Sequence, residues 1–208
     1  MSFKKFMLAA LVFVIGSAAN ASVISFDDLS ARTLFSSQGI SNSYQGDVWS
    51  SSGNASTGWA SATTVNRVSG ESLTPVSGSS YAWNWSGVQS LYISFAQLTD
   101  VTGAYFANLG SSYSANASTI QLFAYDASNS LIASSSILNL TNAFQYLESD
   151  FSGVSKLEIR ANAVSKWFLV DSIVLNQNPA AVPEPGTVAL LGLGLLGLLA
   201  GRRRRKAD

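Results

Sequence analysis

The run KLEIRA at 156–161 alternates without a break: Leu157, Ile159 and Ala161 fall on one face, Lys156, Glu158 and Arg160 on the other. That is the period of a half-buried strand. Three more runs, QSLYISFA at 89–96, VTGAYFAN at 101–108 and TIQLFAYD at 119–126, are short, rich in β-branched or aromatic residues, and bounded by Asn, Ser, Gly or Asp. YDASNSLIASS at 125–135 predicts strand, turn, strand, because Asp126, Ser128, Asn129 and Ser130 bring side chains that bond a turn's own backbone. KWFLVDSIVLN at 166–176 is nearly continuous in its apolar content and predicts a strand buried on both faces. Residues 38–64 are poor in apolar side chains and predict long loops with short strands. No helical period occurs in this part of the chain. Many short strands with regular turns predict an all-β fold, a single jelly-roll or β-sandwich domain over residues 22–176.

Both ends break this pattern. Lys4 and Lys5 precede an apolar run from Phe6 to Ile15, followed by Ala19-Asn20-Ala21. This order of charge, apolar stretch and small residues predicts a signal peptide over residues 1–21, an N-terminal helix cut by signal peptidase before Ser22. At the other end, Pro179, Pro183 and Pro185 predict an extended linker over 177–186. Residues 187–201 are all apolar or small, and residues 202–208 open with Arg202, Arg203, Arg204, Arg205 and Lys206. A helix of that length rises roughly 22 Å, less than the ~30 Å hydrocarbon core, so it spans only a thinned bilayer or with snorkelling arginines. The basic cluster marks the cytoplasmic end and stops transfer, leaving the body outside.

Composition narrows the chemistry. The chain has no Cys and no His, which removes imidazole and thiolate zinc sites, Ser-His-Asp systems and a disulfide framework. Without its two ends, the body holds five basic and ten acidic residues, a net charge of −5. An acidic body argues against nucleic acid as a partner.

Three sets of residues carry candidate chemistry. Asp27 and Asp28 follow the first strand and Asp171 interrupts the last apolar one. If the first and last strands pair, these hard oxygen ligands meet and suit a structural calcium ion. The alternatives are that Asp171 caps a bulge or pairs with a basic residue, and that Asp27 and Asp28 form an Asx turn. Trp49 and Trp59 lie in the polar region and are candidate carbohydrate-stacking platforms, with burial in the core as the alternative. Tyr81, Trp83 and Trp85 share one face of a strand and predict core. Asn54, Asn84, Asn116 and Asn139 each begin an Asn-x-Ser/Thr match. Ten carboxylates leave paired-acid catalysis open, but nothing in the sequence selects a pair.

Val182-Pro183-Glu184-Pro185-Gly186, followed by a short apolar helix and a basic stop, resembles the PEP-CTERM sorting domain of Gram-negative bacteria. The resemblance implies an exosortase that recognises Pro183, Glu184 and Pro185, a transient anchor in the inner membrane, and release to the cell surface or an extracellular matrix. It also implies a producer of exopolysaccharide or biofilm. ISFDDL, GAYFAN, LFAYDASNSLI and WFLVDSIVLN are similar to the β-sandwich bodies of such proteins, and in plan to galactose-binding-like jelly rolls and carbohydrate-binding modules. Where such modules hold calcium, acids from the chain ends contribute. The expectation is a non-enzymatic, structural or adhesive matrix protein associated with exopolysaccharide. The alternatives are a lectin resembling a carbohydrate-binding module and, third, a carboxylate-dependent glycan-active enzyme.

Overall fold

Two strands are far longer than the sequence pattern predicts. QSLYISFA and VTGAYFAN are parts of one strand, β7 (Ser90–Ala107), and KLEIRA is the end of another, β11 (Gln145–Ala161). No Gly or Pro stands between Phe95 and Val101 to turn the chain, so β7 bends instead of ending. The computed structural model describes residues 20–29, 38–52, 59–63, 73–84, 87–110 and 114–177. Among them the chain forms twelve strands and no helix: the two above, with β1 (Asn20–Ile24), β2 (Gln38–Gly39), β3 (Ser43–Tyr44), β4 (Asp47–Ser51), β5 (Trp59–Thr63), β6 (Ser80–Asn84), β8 (Thr119–Tyr125), β9 (Leu131–Ser134), β10 (Leu138–Asn139) and β12 (Leu169–Gln177). Among the described residues, no helix is long and apolar enough to cross a membrane. The apolar run at 187–201 lies outside them, as does the signal segment up to residue 19.

The long strands make the sandwich. The first half of β7 pairs with β4 and with the end of β11, which also pairs with β8. The second half of β7 pairs with β12 and with the beginning of β11. The β11 register slips at three places between Glu148 and Lys156. Such bulges let a strand turn the corner and serve both layers. Asp150 and Gly153 take positive φ there, and Asp100 Oδ1 fixes the corner by accepting from Ser152 Oγ and Gly153 N, both at 2.8 Å.

The alternation read from KLEIRA holds on the inner face, where Leu157, Ile159 and Ala161 join one cluster with Leu91, Ile93, Leu122 and Phe106. Each fully buried Leu or Ile stabilises the fold by roughly 1.5–3 kcal/mol. The outer face departs from it. Glu158 is only 2 % exposed, because three neighbours close over it, as described below.

The predicted turn after β8 is present. Asp126 Oδ1 accepts from Ser128 N at 2.9 Å and Ser130 N at 2.8 Å, and Asn129 takes the positive φ. β12 is buried on both faces over Leu169 to Ile173, as its apolar run predicts. Tyr81 and Trp83 are core, packed with Leu169, Leu109 and Ala107; Trp85 lies outside the described residues.

The first and last strands pair. β1 runs antiparallel to β12, with Asn20 opposite Gln177 and Ile24 opposite Ile173. β1 begins at Asn20, two residues before the predicted cleavage point at Ser22.

Candidate functional site

β1 ends in a tight turn in which Leu29 N donates to Phe26 O at 3.1 Å. This turn sends Asp27 towards the loop that leads into β6. Asp27 Oδ1 accepts from Ser79 N at 2.8 Å and Ser80 N at 3.1 Å. Asp171 approaches the same loop from β12: its Oδ2 accepts from Val76 N at 2.7 Å and Ser77 N at 3.2 Å. Its Oδ1 accepts from Ser172 N at 2.6 Å. Ser172 has φ 48°, at a register shift between Asp171 and Val174, so Asp171 caps a bulge, the alternative weighed above. Ser77 Oγ lies 3.4 Å from both carboxylates.

The two carboxyls are tuned oppositely. Asp171 is 0 % exposed, and burial raises its pKa despite the opposing bonds from Ser77, Val76 and Ser172. For Asp27, burial also pushes upward, but the Ser79 and Ser80 amides and the Ser25 and Ser77 hydroxyls outweigh it, so its pKa is lowered.

This arrangement brings two of the three predicted calcium ligands together and leaves the third out. Asp28 accepts from the Tyr44 hydroxyl instead, and burial, followed by this bond, pushes the Tyr44 phenol above its ordinary value. Among the described residues no group of three or more acids is placed to hold a metal ion. Asp27 Oδ1 and both oxygens of Asp171 face N–H donors, which repel a cation, and Asp27 Oδ2 meets the Ser77 hydroxyl, so the arrangement falls short of a six- to eight-oxygen calcium shell. What it does fit is the satisfaction of a buried carboxylate, Asp171, and an exposed one, Asp27, by backbone amides.

The expectation for Trp49 is also corrected. Trp49 is 0 % exposed, packed edge-on against Phe26 at 5.9 Å and Tyr44 at 5.3 Å, and its Nε1 donates to Tyr44 O at 3.0 Å. Its ring is unavailable to a sugar; β4 is short and polar, but its one aromatic residue turns inward opposite Ile93. Trp59 stands in β5 opposite Asn84, with its side chain outside the described residues. Of the Asn-x-Ser/Thr sites, Asn84 and Asn116 are committed internally. Asn84 Nδ2 donates to Val88 O at 2.8 Å and Lys166 O at 2.6 Å, and its Oδ1 accepts from Phe168 N at 2.7 Å.

A second polar cluster involves side chains that no local pattern singles out. On the outer face, Glu158 of β11 stands opposite Tyr92 of β7 and Phe123 of β8. Arg160 bonds it through Nε at 2.7 Å and Nη2 at 2.8 Å, the Tyr125 hydroxyl donates at 2.6 Å, and Ser90 Oγ at 2.7 Å. Burial pushes the Glu158 pKa up, but Arg160, Tyr125 and Ser90 outweigh it, and the result is lowered. Tyr125 is pushed up to about 12, by burial first and then by Glu158. Arg160 stacks 4.1 Å from the Phe123 centroid, and Lys156 Nζ stands 4.3 Å above Tyr125 and 5.6 Å from Tyr92. The signal was present in the period-2 phase of SLYIS, QLFAY and KLEIR, which puts these side chains on one face once the strands are neighbours.

Two clefts lie among the described residues. One of about 400 Å³ is lined by residues including Thr74, Val76, Asn142 and Phe144. One of about 160 Å³ is lined by residues including Asp100, Asp150 and Asn176.

The body is thus a β-sandwich, and the tail says how it travels. Residues 181–205 match the PEP-CTERM protein-sorting motif. The match takes in Val182, Pro183, Glu184 and Pro185 and the arginines up to Arg205, all outside the described residues. The chain is therefore an exported, exosortase-processed protein, held transiently in the membrane and then displayed at the surface. No curated protein matches it. Among solved structures the body is similar to a DUF4465 family protein from Bacteroides caccae, with TM-score 0.51 and 14 % identity over 76 % of this chain and 100 % of that one. It is also similar to the K2 cleaved adhesin domain of Lys-gingipain, with TM-score 0.48 and 11 % identity over 76 % and 98 % of the two chains. A third is a carbohydrate-binding module, CBM61, solved with β-1,4-galactotriose, with TM-score 0.36 and 9 % identity over 65 % and 92 %. At these identities the first supports the β-sandwich fold and nothing about ligands.

Proposed function

We propose that the body is a structural or adhesive component of the cell surface or extracellular matrix, associated with the producer's exopolysaccharide and without a catalytic role. The observation that carries this reading is the sorting motif at 181–205 behind a β-sandwich. A display signal delivers its cargo to the surface, where the polymer is. The signal segment is removed before Ser22 by signal peptidase, the exosortase reads Pro183, Glu184 and Pro185, and residues 187–201 hold the chain beside it. Arg202 to Lys206 stop its passage into the periplasm. Asp100 and Asp150 line one cleft. Asp100 is engaged there by Ser152 and Gly153 at the β11 corner, which suits a structural task.

The test is the intact mass of the protein recovered from the surface, together with its fractionation. The reading expects a chain that starts at Ser22, lacks the segment after the Pro-Glu-Pro motif, and co-fractionates with matrix polysaccharide. Glu184→Ala should retain the tail and remain in the inner membrane. Surface-recovered protein that ends at Asp208, or partitions away from the polymer, overturns it.

A further inference from the structure

We propose that the outer face shared by β7, β8 and β11 binds a carboxylate-bearing polysaccharide, with Lys156 and Arg160 as the groups that meet its carboxylates. This rests on the reading of the body as a matrix protein and names the class of polymer. The body is acidic overall, yet these two cations stand on one face of one strand. The acid between them, Glu158, is buried and takes bonds from Arg160, Tyr125 and Ser90, so it does not offer its charge to solvent. Arg160 uses two of its five N–H donors on Glu158; its side chain is 41 % exposed, and the remaining donors can fork onto a carboxylate.

Preorganisation adds to this. Stacking over Phe123 fixes the guanidinium plane, and Lys156 is held over Tyr125 and Tyr92 by its bond to Asn129. Two long side chains that are already ordered lose less entropy on binding. Four residues along a strand separate the cations by roughly 13 Å, which matches separate units of a polymer better than one small anion. Ser94, opposite Lys156, and Ser134, opposite Phe123, add hydroxyls beside the charges. Cations, ring edges and hydroxyls together suit a ligand that carries both carboxylates and hydroxyls.

Affinity electrophoresis of the full-length chain in mild detergent tests this, with polygalacturonate, dextran or polyphosphate cast in the gel. The expected result is retardation by polygalacturonate alone, weakening as salt is added. Lys156→Gln should weaken it about fivefold with the melting temperature little changed. Arg160→Lys keeps the charge but loses the fork, and should weaken it too. Retardation unchanged in both variants, equal retardation by dextran or polyphosphate, or none by polygalacturonate each overturns the assignment. The matrix reading is scored separately by fractionation, so a protein that stays in the matrix without binding polyuronate sinks only the present proposal.

Discussion

Asp27 and Asp171, from opposite ends of the body, reach the same hydroxyl: Ser77 Oγ lies 3.4 Å from each carboxylate. A hydroxyl has one proton to donate, so only one of the two is served at a time. The loop before β6 is thereby fastened to the first and last strands at once.

The opposite tuning of the two acids gives opposite pH responses. Asp171, raised above 3.8, contributes stability that is full below that value and lost as pH rises through its folded pKa. Asp27, lowered below 3.8, contributes stability present above that value and lost as pH falls through its folded pKa. Thermal melts between pH 3 and 7 should therefore show Asp171→Asn gaining on wild type as pH rises. Asp27→Asn should be furthest below wild type at neutral pH and converge with it in acid. Parallel curves for both variants would contradict the assignment.

Gly78 sits under Asp27 with φ +49°, and a Cβ there would stand 2.1 Å from the Asp27 carboxyl carbon. Gly78→Ala should destabilise the fold by about 1–2 kcal/mol from the left-handed backbone alone. It should also push the carboxylate off the Ser79 and Ser80 amides. The clash term should vanish in an Asp27→Ala background, so a double-mutant cycle by denaturant melts should be clearly non-additive.

Trp49→Ala should lower stability by about 3–5 kcal/mol, because it empties the space between Phe26 and Tyr44. Trp49→Phe keeps most of the packing but leaves Tyr44 O without its indole partner, at a cost of roughly 1 kcal/mol. Neither should alter glycan retardation in gels run well below the melting temperature. A selective loss of glycan binding in the folded Phe variant would restore Trp49 as a contact.

Asn84 joins three segments through both ends of its amide. Asn84→Asp places a carboxylate against the Val88 and Lys166 carbonyls and should cost about 3 kcal/mol or more. Asn84→Ala should cost less, since it buries no charge. Equilibrium unfolding of the two variants gives the order directly.

The contrast between KLEIRA and Trp49 explains what was legible in the chain. Leu157, Ile159 and Ala161 could be placed because alternation is local and follows from strand geometry. So could the Asp126 turn and the meeting of Asp27 with Asp171, once first and last strands were taken as neighbours. Trp49 was misplaced because its strand is five residues long and mostly polar, and its burial depends on Tyr44 and Phe26 arriving from elsewhere. Glu158 was misjudged for the same reason. Beside Arg160 of its own strand, its cover comes from Tyr125 and Ser90 of β8 and β7, strands whose adjacency no local pattern records. The lengths of β7 and β11 were hidden because a bulge that bends a strand looks, in sequence, like an interruption that ends it.

The pairing of β1 with β12 also sets an order of events. Threaded through a membrane from its amino end, the chain delivers β1 first and β12 last. Strand β1 must wait without its partner until almost the whole body has crossed, and slow closure is the usual cost of such distant contacts. Soon after Leu175 emerges and the sheet can close on Ser22, the apolar run that begins at residue 187 reaches the bilayer. Closure of the sheet and arrest of the chain thus follow one another closely during export, so the exosortase meets its signal on a body that has just become able to finish folding.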